Sequence, residues 1–308
     1  MTSNDQTLAV LKVHGRSFYF ASHLLSSNYR IRAARLYAFC RYVDDLVDEA
    51  DDPELAYVTV NHLKTELLLG RSEHPQVESM IKLMREIDLP IEPLLALIDG
   101  VQSDLKTPCL QNEAELIQYA YKVAGTVGLM MCAVLDVKNP AALPFAIDLG
   151  VAMQLTNIAR DVREDALLGR IYLPADWLGN LTTEEIKQPN LRQQQALKDA
   201  TRRILLEADN YYESGLDGLV YLPIAARFGI LAAAAVYREI GHMIARSGYQ
   251  SWNHRAVVPA HRKCLCAGRS FIKHFTKSLW VRTEPVHELH LHRNLQSCFG
   301  ANSMITHE

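Results

Sequence analysis

The chain has 308 residues, 49% hydrophobic and 22% charged, with 32 Lys and Arg against 35 Asp and Glu for a net charge of −3. That composition can bury a sizeable core and excludes a disordered or low-complexity chain. The near-neutral balance excludes a general nucleic-acid binder, which needs a clearly basic face.

Taken in order, stretches rich in Ala, Leu, Ile, Arg and Glu between prolines predict helices at 28–50, 54–70, 75–87, 92–105, 113–136, 141–167, 183–215, 220–247 and 257–280. No β-branched run bounded by turn signals competes as a strand. No repeat or linker divides the chain, so one all-α domain is expected over 1–283. No basic leader precedes an apolar core at the N-terminus. The longest uncharged apolar-rich run, 123–135, is shorter than the ~20 residues of a spanning helix. Six scattered Cys without a CxxC read as reduced thiols of a cytosolic chain. The end, 284–308, is expected to be a loose tail. Its His287, His290 and His292 are close enough to share a metal, but a His-rich end reads first as unanchored.

Residues 44–52 carry six acids in nine positions. On a helix, Tyr37, Arg41, Asp44, Asp45 and Asp48 share one arc, opposite Leu36, Phe39, Val43, Leu46 and Ala50. Two readings stay open here. The run is a solvated amphipathic face, or the repelling i,i+4 pair Asp44 and Asp48 is held together by a cation. An EF-hand does not fit, because its sixth loop position would be Glu49 where glycine is required.

The second acidic stripe is less easily assigned to solvent. With Gln154 at zero, Asn157, Asp161 and Asp165 fall at roughly −60°, −20° and +20° around a helix. The rest of that helix up to Ala159 is apolar: Leu149, Val151, Ala152, Met153, Leu155 and Ile158. A helix apolar on most sides is buried, so its polar stripe must face a cavity or a partner. Arg160, Arg163 and Arg170 flank the acids. Magnesium takes few protein carboxylates and fills its shell with water and phosphate, while arginine grips phosphate bidentately. If the two DxxxD helices face each other, four carboxylates converge and can hold a diphosphate through bridging Mg²⁺. The pairing is more specific than either half.

With both motifs in view, the sequence resembles the squalene/phytoene synthase family of head-to-head prenyl transferases. The resemblance rests on HGRSFYFAS (14–22), LYAFCRYVDDLVDE (36–49), YAYKVAGTVGLMM (119–131), QLTNIARDVREDALLGRIYLPADWL (154–178) and, more weakly, RAVVPAHRK (255–263). It covers residues 10–280, and within the family the 154–178 block is most similar to the bacterial phytoene-forming members.

The resemblance implies an isoprenoid-synthase helical bundle around a central cavity, and Mg²⁺-dependent condensation of two identical prenyl diphosphates, with Mn²⁺ able to take the place of Mg²⁺. For the phytoene-forming members the substrate is geranylgeranyl diphosphate. Carried over by position, Asp44 and Asp48 form the first metal pair and Asn157, Asp161 and Asp165 the second, with Gln154 beside them. Arg41, Arg160 and Arg255 would hold diphosphate. Arg16, Ser17 and Phe18 fall in a diphosphate-contacting segment where relatives often have Lys for Arg16. Tyr37, Tyr119, Tyr121, Tyr172 and Tyr237 match aromatic positions near the reacting carbons, where π faces can stabilise a cation.

The expected course is ionisation, a cyclopropyl diphosphate, a second ionisation and proton loss. No general base stands out. Competing expectations are squalene or dehydrosqualene synthesis from farnesyl diphosphate, a non-catalytic relative, and a cyclising terpene synthase. The last should carry an NSE-type second motif, and here it is DxxxD. A scaffold has no need of four repelling carboxylates. Lipid substrate and product imply work at a membrane surface, with 219–247 either a docking face or a core helix. The Gly125/Gly128 pair kinks its helix, admits substrate or packs closely. Oligomeric state is not readable.

Overall fold

Helix starts follow from local capping. Ser26 accepts from the Tyr29 amide, Asp52 from the Glu54 and Leu55 amides with Pro53 next, and Asn112 from Glu115. Thr182 with Glu185, and Asn190 with Gln193, complete reciprocal capping boxes. The computed structural model describes residues 3–280 and 284–302, and the side chains of all of these except 3–6, 14, 16 and 275–280.

In chain order the helices are α1 (Ser3–His14), α2 (Arg16–Ser22), α3 (Ser27–Asp48), α4 (Pro53–Leu69), α5 (Pro75–Ile87), α6 (Glu92–Ser103) and α7 (Glu113–Ala120). A π turn, Tyr121–Gly125, leads into α8 (Thr126–Val134). Then come α9 (Leu143–Arg160), α10 (Val162–Leu167), α11 (Ala175–Leu178), α12 (Thr183–Lys187), α13 (Leu191–Asp217), α14 (Ile224–Arg246) and α15 (Ala260–Trp280). Among the described residues there is no strand, only an isolated bridge between Cys109 and Ile171. The all-α expectation therefore holds.

Two apolar cores form the interior, with Val123 packed against both. One joins Leu36, Phe39 and Val43 of α3 to Met80, Leu94 and Ile98 of α5 and α6. The other joins Val151, Ala152 and Leu155 of α9 to Leu197, Ile204 and Tyr212 of α13. A cavity of about 330 Å³ lies along α9, with walls from α1, α2, α3, α8, α13 and α14. The approach of α8 to α9 is backbone on backbone. A Cβ on Gly150 would lie 2.2 Å from the Ala124 carbonyl oxygen, and one on Gly128 would lie 2.0 Å from that of Ala146. Gly125 ends the π turn and Gly128 lines the cavity, so the glycine pair serves close packing beside the site.

Several expectations need correction. The predicted helix 141–167 breaks at Asp161, whose φ/ψ of −100°/18° ends α9 before α10 begins. The predicted helix 183–215 is interrupted ahead of Asn190, where Pro189 and the second capping box restart it. The loose tail is wrong for 284–302: Leu291, Leu295 and Ala301 are buried, and the core hydroxyls of Tyr211 and Tyr121 donate to the carbonyls of Leu291 and Phe299 at 2.8 Å each. Residues 303–308 lie outside the described residues. Pro140–Arg160 and Ile224–Arg246 are long and apolar enough to cross a membrane by length and composition, yet 56% and 50% of their apolar 18-residue windows is buried within the bundle.

Candidate active site

Apart from Ser22 on α2, the polar side chains of the cavity come from α3 and from the C-terminal part of α9. From α3, Tyr37, Cys40 and Asp44 line it; from α9, Gln154 and Asn157 do. Apart from Ser22 and Cys132, the remaining wall is Leu, Ile, Met, Val, Ala, Phe and Gly, including Leu25, Met131, Leu135, Phe145, Leu149 and Met153. Asp48 sits at the last turn of α3. The Arg170 guanidinium donates to it at 2.6 Å, while the Arg170 backbone N–H donates to the Asp165 carbonyl at 2.9 Å. One residue thus ties the first acidic motif to the second.

The electrostatics of the acids diverge. Burial, with Asp48 next to it, pushes Asp44 up to about 7. Burial, with Asp161 adjacent, pushes Asp165 up to about 8. Burial would also raise Asp161, but the hydrogen bonds of Arg160 and Arg255 outweigh it and hold that carboxyl below its ordinary range. The Arg160 Nε donates to Asp161 Oδ1 at 2.8 Å and the Arg255 Nε at 2.6 Å. Arg41 is paired with Asp45, and Arg163 turns away to the Asn253 carbonyl at 3.2 Å.

The donor set fits a hard divalent cation. Asn157 Oδ1 and Asp104 Oδ1 are buried with no hydrogen-bond partner, and such oxygens are costly unless something positive meets them. Asp44 and Asp165 are half-buried carboxyls, each beside another carboxylate. Oxygen-only ligands suit Mg²⁺.

Aromatic side chains form two groups. Phe18 lies 5.0 Å from Tyr237 and 6.2 Å from Tyr37, ring centre to ring centre. Tyr119 stacks on Tyr172 at 4.9 Å and donates from its hydroxyl to Asp104 at 3.0 Å. Tyr121 does not join them. Its hydroxyl is spent on the Phe299 carbonyl in the C-terminal segment, so the expected role near reacting carbons is corrected. Ser17 is half-buried on α2, and the side chain of Arg16 lies outside the described residues.

Sequence reasoning missed Asp104. It follows α6 in a single 3₁₀ turn, burial pushes it up to about 6, and it meets the Tyr119–Tyr172 pair. A lone acid at a helix end carries no periodic signal, so only the fold reveals it.

Comparison with known proteins identifies the family and the fold. The profile of the squalene/phytoene synthase family matches residues 11–262. The phytoene synthase of Cereibacter sphaeroides is 37% identical over 280 residues, covering 86% of this chain and 78% of that protein. The 15-cis-phytoene synthase of Enterobacter agglomerans is 36% identical over 266 residues, covering 82% and 90%. A crystal structure of a dehydrosqualene synthase in complex with a ligand superposes with a TM-score of 0.80 at 26% identity, covering 90% of this chain and 97% of that one.

Proposed function

The chain belongs to the squalene/phytoene synthase family, and on that premise we propose that it is a phytoene synthase. It joins two geranylgeranyl diphosphates head to head through a cyclopropyl diphosphate and releases both diphosphates. The observation that carries this reading is the polarity of the cavity. Asp44, Gln154 and Asn157 stand at one end, and an apolar bore runs along α9 to Phe145 and Ala142. The twelve helical steps from Asn157 to Phe145 span ~18 Å at 1.5 Å each, which suits an extended polyprenyl tail with its diphosphate at the acidic mouth.

Asp44, Asp48, Asn157, Asp161 and Asp165 would hold Mg²⁺, or Mn²⁺ in its place. Bound there, the ion supplies charge neutralisation for a departing diphosphate. The protein's own groups do the rest. Arg160 and Arg255 now rest on Asp161, and on diphosphate binding they transfer from that carboxylate to the phosphate oxygens, for which the guanidinium fork is matched. Arg170 and Arg41 stand beside the two acidic motifs. The Tyr37–Phe18–Tyr237 group presents π faces to the developing cation. Closure of the apolar bore keeps water from quenching that cation as an alcohol.

Substrate and product are lipids, so the reaction takes place at the cytoplasmic face of a membrane without spanning it. Incubation with farnesyl and geranylgeranyl diphosphate in turn, each with and without NADPH, tests the reading. The expected product is phytoene from the C20 substrate with no reductant. A C30 hydrocarbon made preferentially from farnesyl diphosphate overturns it.

A further inference from the structure

The C-terminal segment brings two histidines to one buried carboxylate on the helix that lines the cavity. Asp148 on α9 is fully buried. His287 Nε2 lies 2.7 Å from its Oδ2 and His292 Nε2 lies 2.8 Å from its Oδ1, with all three side chains at most 2% exposed. Ser214 of α13 donates to Oδ2 at 2.5 Å. His292 Nδ1 meets the Ala301 carbonyl at 2.8 Å, so it must carry a proton. Its Nε2 faces a carboxylate and must carry one too, which makes the ring an imidazolium.

The three ligand-type side chains could suggest a metal centre. Charge argues otherwise. Carboxylate plus imidazolium is neutral, whereas a divalent cation on one carboxylate and two neutral imidazoles leaves a net buried charge, which is costly. The spacings are hydrogen-bond lengths. The cluster is a clamp that fixes the segment 284–302 to α9.

What the clamp holds is next to the bore. Phe145 lies one helical turn before Asp148, is 2% exposed and lines the apolar end of the cavity. Neither His287 nor Tyr221 lines the cavity, and the two rings pack on Phe145 from outside it, His287 in a T-shaped contact at 5.2 Å and Tyr221 at 5.8 Å. Gly218 closes it in: a Cβ there would stand 2.3 Å from Phe145 Cβ. Among the described residues, the Phe145 ring at this end of the bore is therefore backed by His287 of the C-terminal segment, by Tyr221 and by Gly218. We propose that His287 is a positioning residue that holds Phe145 as the floor of the bore, so that the C-terminal segment limits the length of prenyl tail accepted. This rests on the prenyl-transferase reading above.

The test is a comparison of kcat/KM for geranylgeranyl diphosphate and its C25 homologue, one isoprene unit longer. His287→Ala leaves space for Phe145 to swing back and raises the C25-to-C20 ratio about tenfold or more, the low end of what one misplaced methylene is worth in an apolar pocket. His287→Leu refills that space without the hydrogen bond to Asp148 and keeps the ratio within about twofold of the parent. Phe145→Ala raises the ratio as well, and adding His287→Ala to it changes the ratio by less than about twofold, as expected for two residues acting through one contact. An unchanged ratio in helical, folded His287→Ala overturns the proposal, as does an equal shift in His287→Leu. Should His287→Ala not fold, an unchanged ratio in Phe145→Ala overturns it alone. A parent enzyme inert towards every prenyl diphosphate overturns the functional reading instead.

Discussion

Raising the pH should release the Mg²⁺ site from competition with protons, and the size of the effect follows from two carboxyls. Asp44 stands at about 7 and Asp165 at about 8, both lifted first by burial and then by a neighbouring carboxylate. Below those values each group is protonated, and metal binding must displace the proton. At pH 7 Asp44 is about half protonated and Asp165 about nine-tenths, so loading both releases about 1.4 protons, against about 0.1 at pH 9. The apparent Mg²⁺ affinity, measured with a non-reacting diphosphate analogue, should then rise about twentyfold between pH 7 and pH 9 and level off above it. Calorimetric titration at pH 7 in two buffers of different ionisation enthalpy counts the protons directly. Release of fewer than about 0.3 protons there, with Mg²⁺ bound, would show that the metal does not meet these carboxyls and would refute the reasoning.

Asp161→Ala at saturating Mg²⁺ should lower product formation by on the order of a hundredfold; near-normal turnover rules out the second metal motif as placed. Tyr121→Phe should cost about 1–2 kcal/mol in denaturant stability, by stranding the Phe299 carbonyl, with turnover unchanged, whereas Tyr119→Phe should slow turnover by removing the donor to Asp104. The reverse order in the two variants contradicts their placement. Asp148→Asn should cost about 3–5 kcal/mol, because it leaves the His292 imidazolium buried without its partner, and should speed amide exchange over 284–302; a loss under about 1 kcal/mol removes the clamp. The clamp also dictates a pH window. Burial would lower His292 and raise Asp148, but hydrogen bonding wins on both sides: Asp148 is held down by His287 and then His292, and His292 is held up by Asp148. His292 is raised, so its contribution is complete below its ordinary 6.5 and is lost as pH climbs through the raised value. Asp148 is lowered, so its contribution is present above its ordinary 3.8 and is lost as pH falls through the lowered value. Amide exchange across 284–302 should be slowest between those limits.

The helical class and both acidic motifs were legible because they are local. Spacings of three and four place Asp44 with Asp48 on one helical face, and an apolar surround marks Gln154 and Asn157 as cavity-facing. The break at Asp161 was not legible, since nothing in its sequence neighbourhood is a helix breaker. Tyr119 and Tyr121 were separable in principle: two residues apart on a helix, they point roughly 200° away from each other. One faces Asp104 and the other the C-terminal segment. The Asp148 clamp lay beyond sequence reasoning because its members are 139 and 144 residues apart. A faint signal existed in Leu291 and Leu295, an i,i+4 apolar pair in a segment otherwise read as solvated.

Gly128, Gly150, Gly215, Gly218 and Gly229 all line the cavity, and at each a first carbon would collide with a neighbour: Ala146, Ala124, Leu149, Phe145 or Leu25. The first four positions therefore close off an evolutionary route. At Gly128, Gly150, Gly215 and Gly218 a methyl meets backbone or a Cβ and forces neighbouring elements apart; at Gly229 it meets chiefly the end of Leu25, which can move aside. Drift in substrate preference across descendants of this sequence must run instead through the ends of long side chains, such as Met131, Met153 and Leu25, which can retract or extend while the backbone stays where the chemistry needs it.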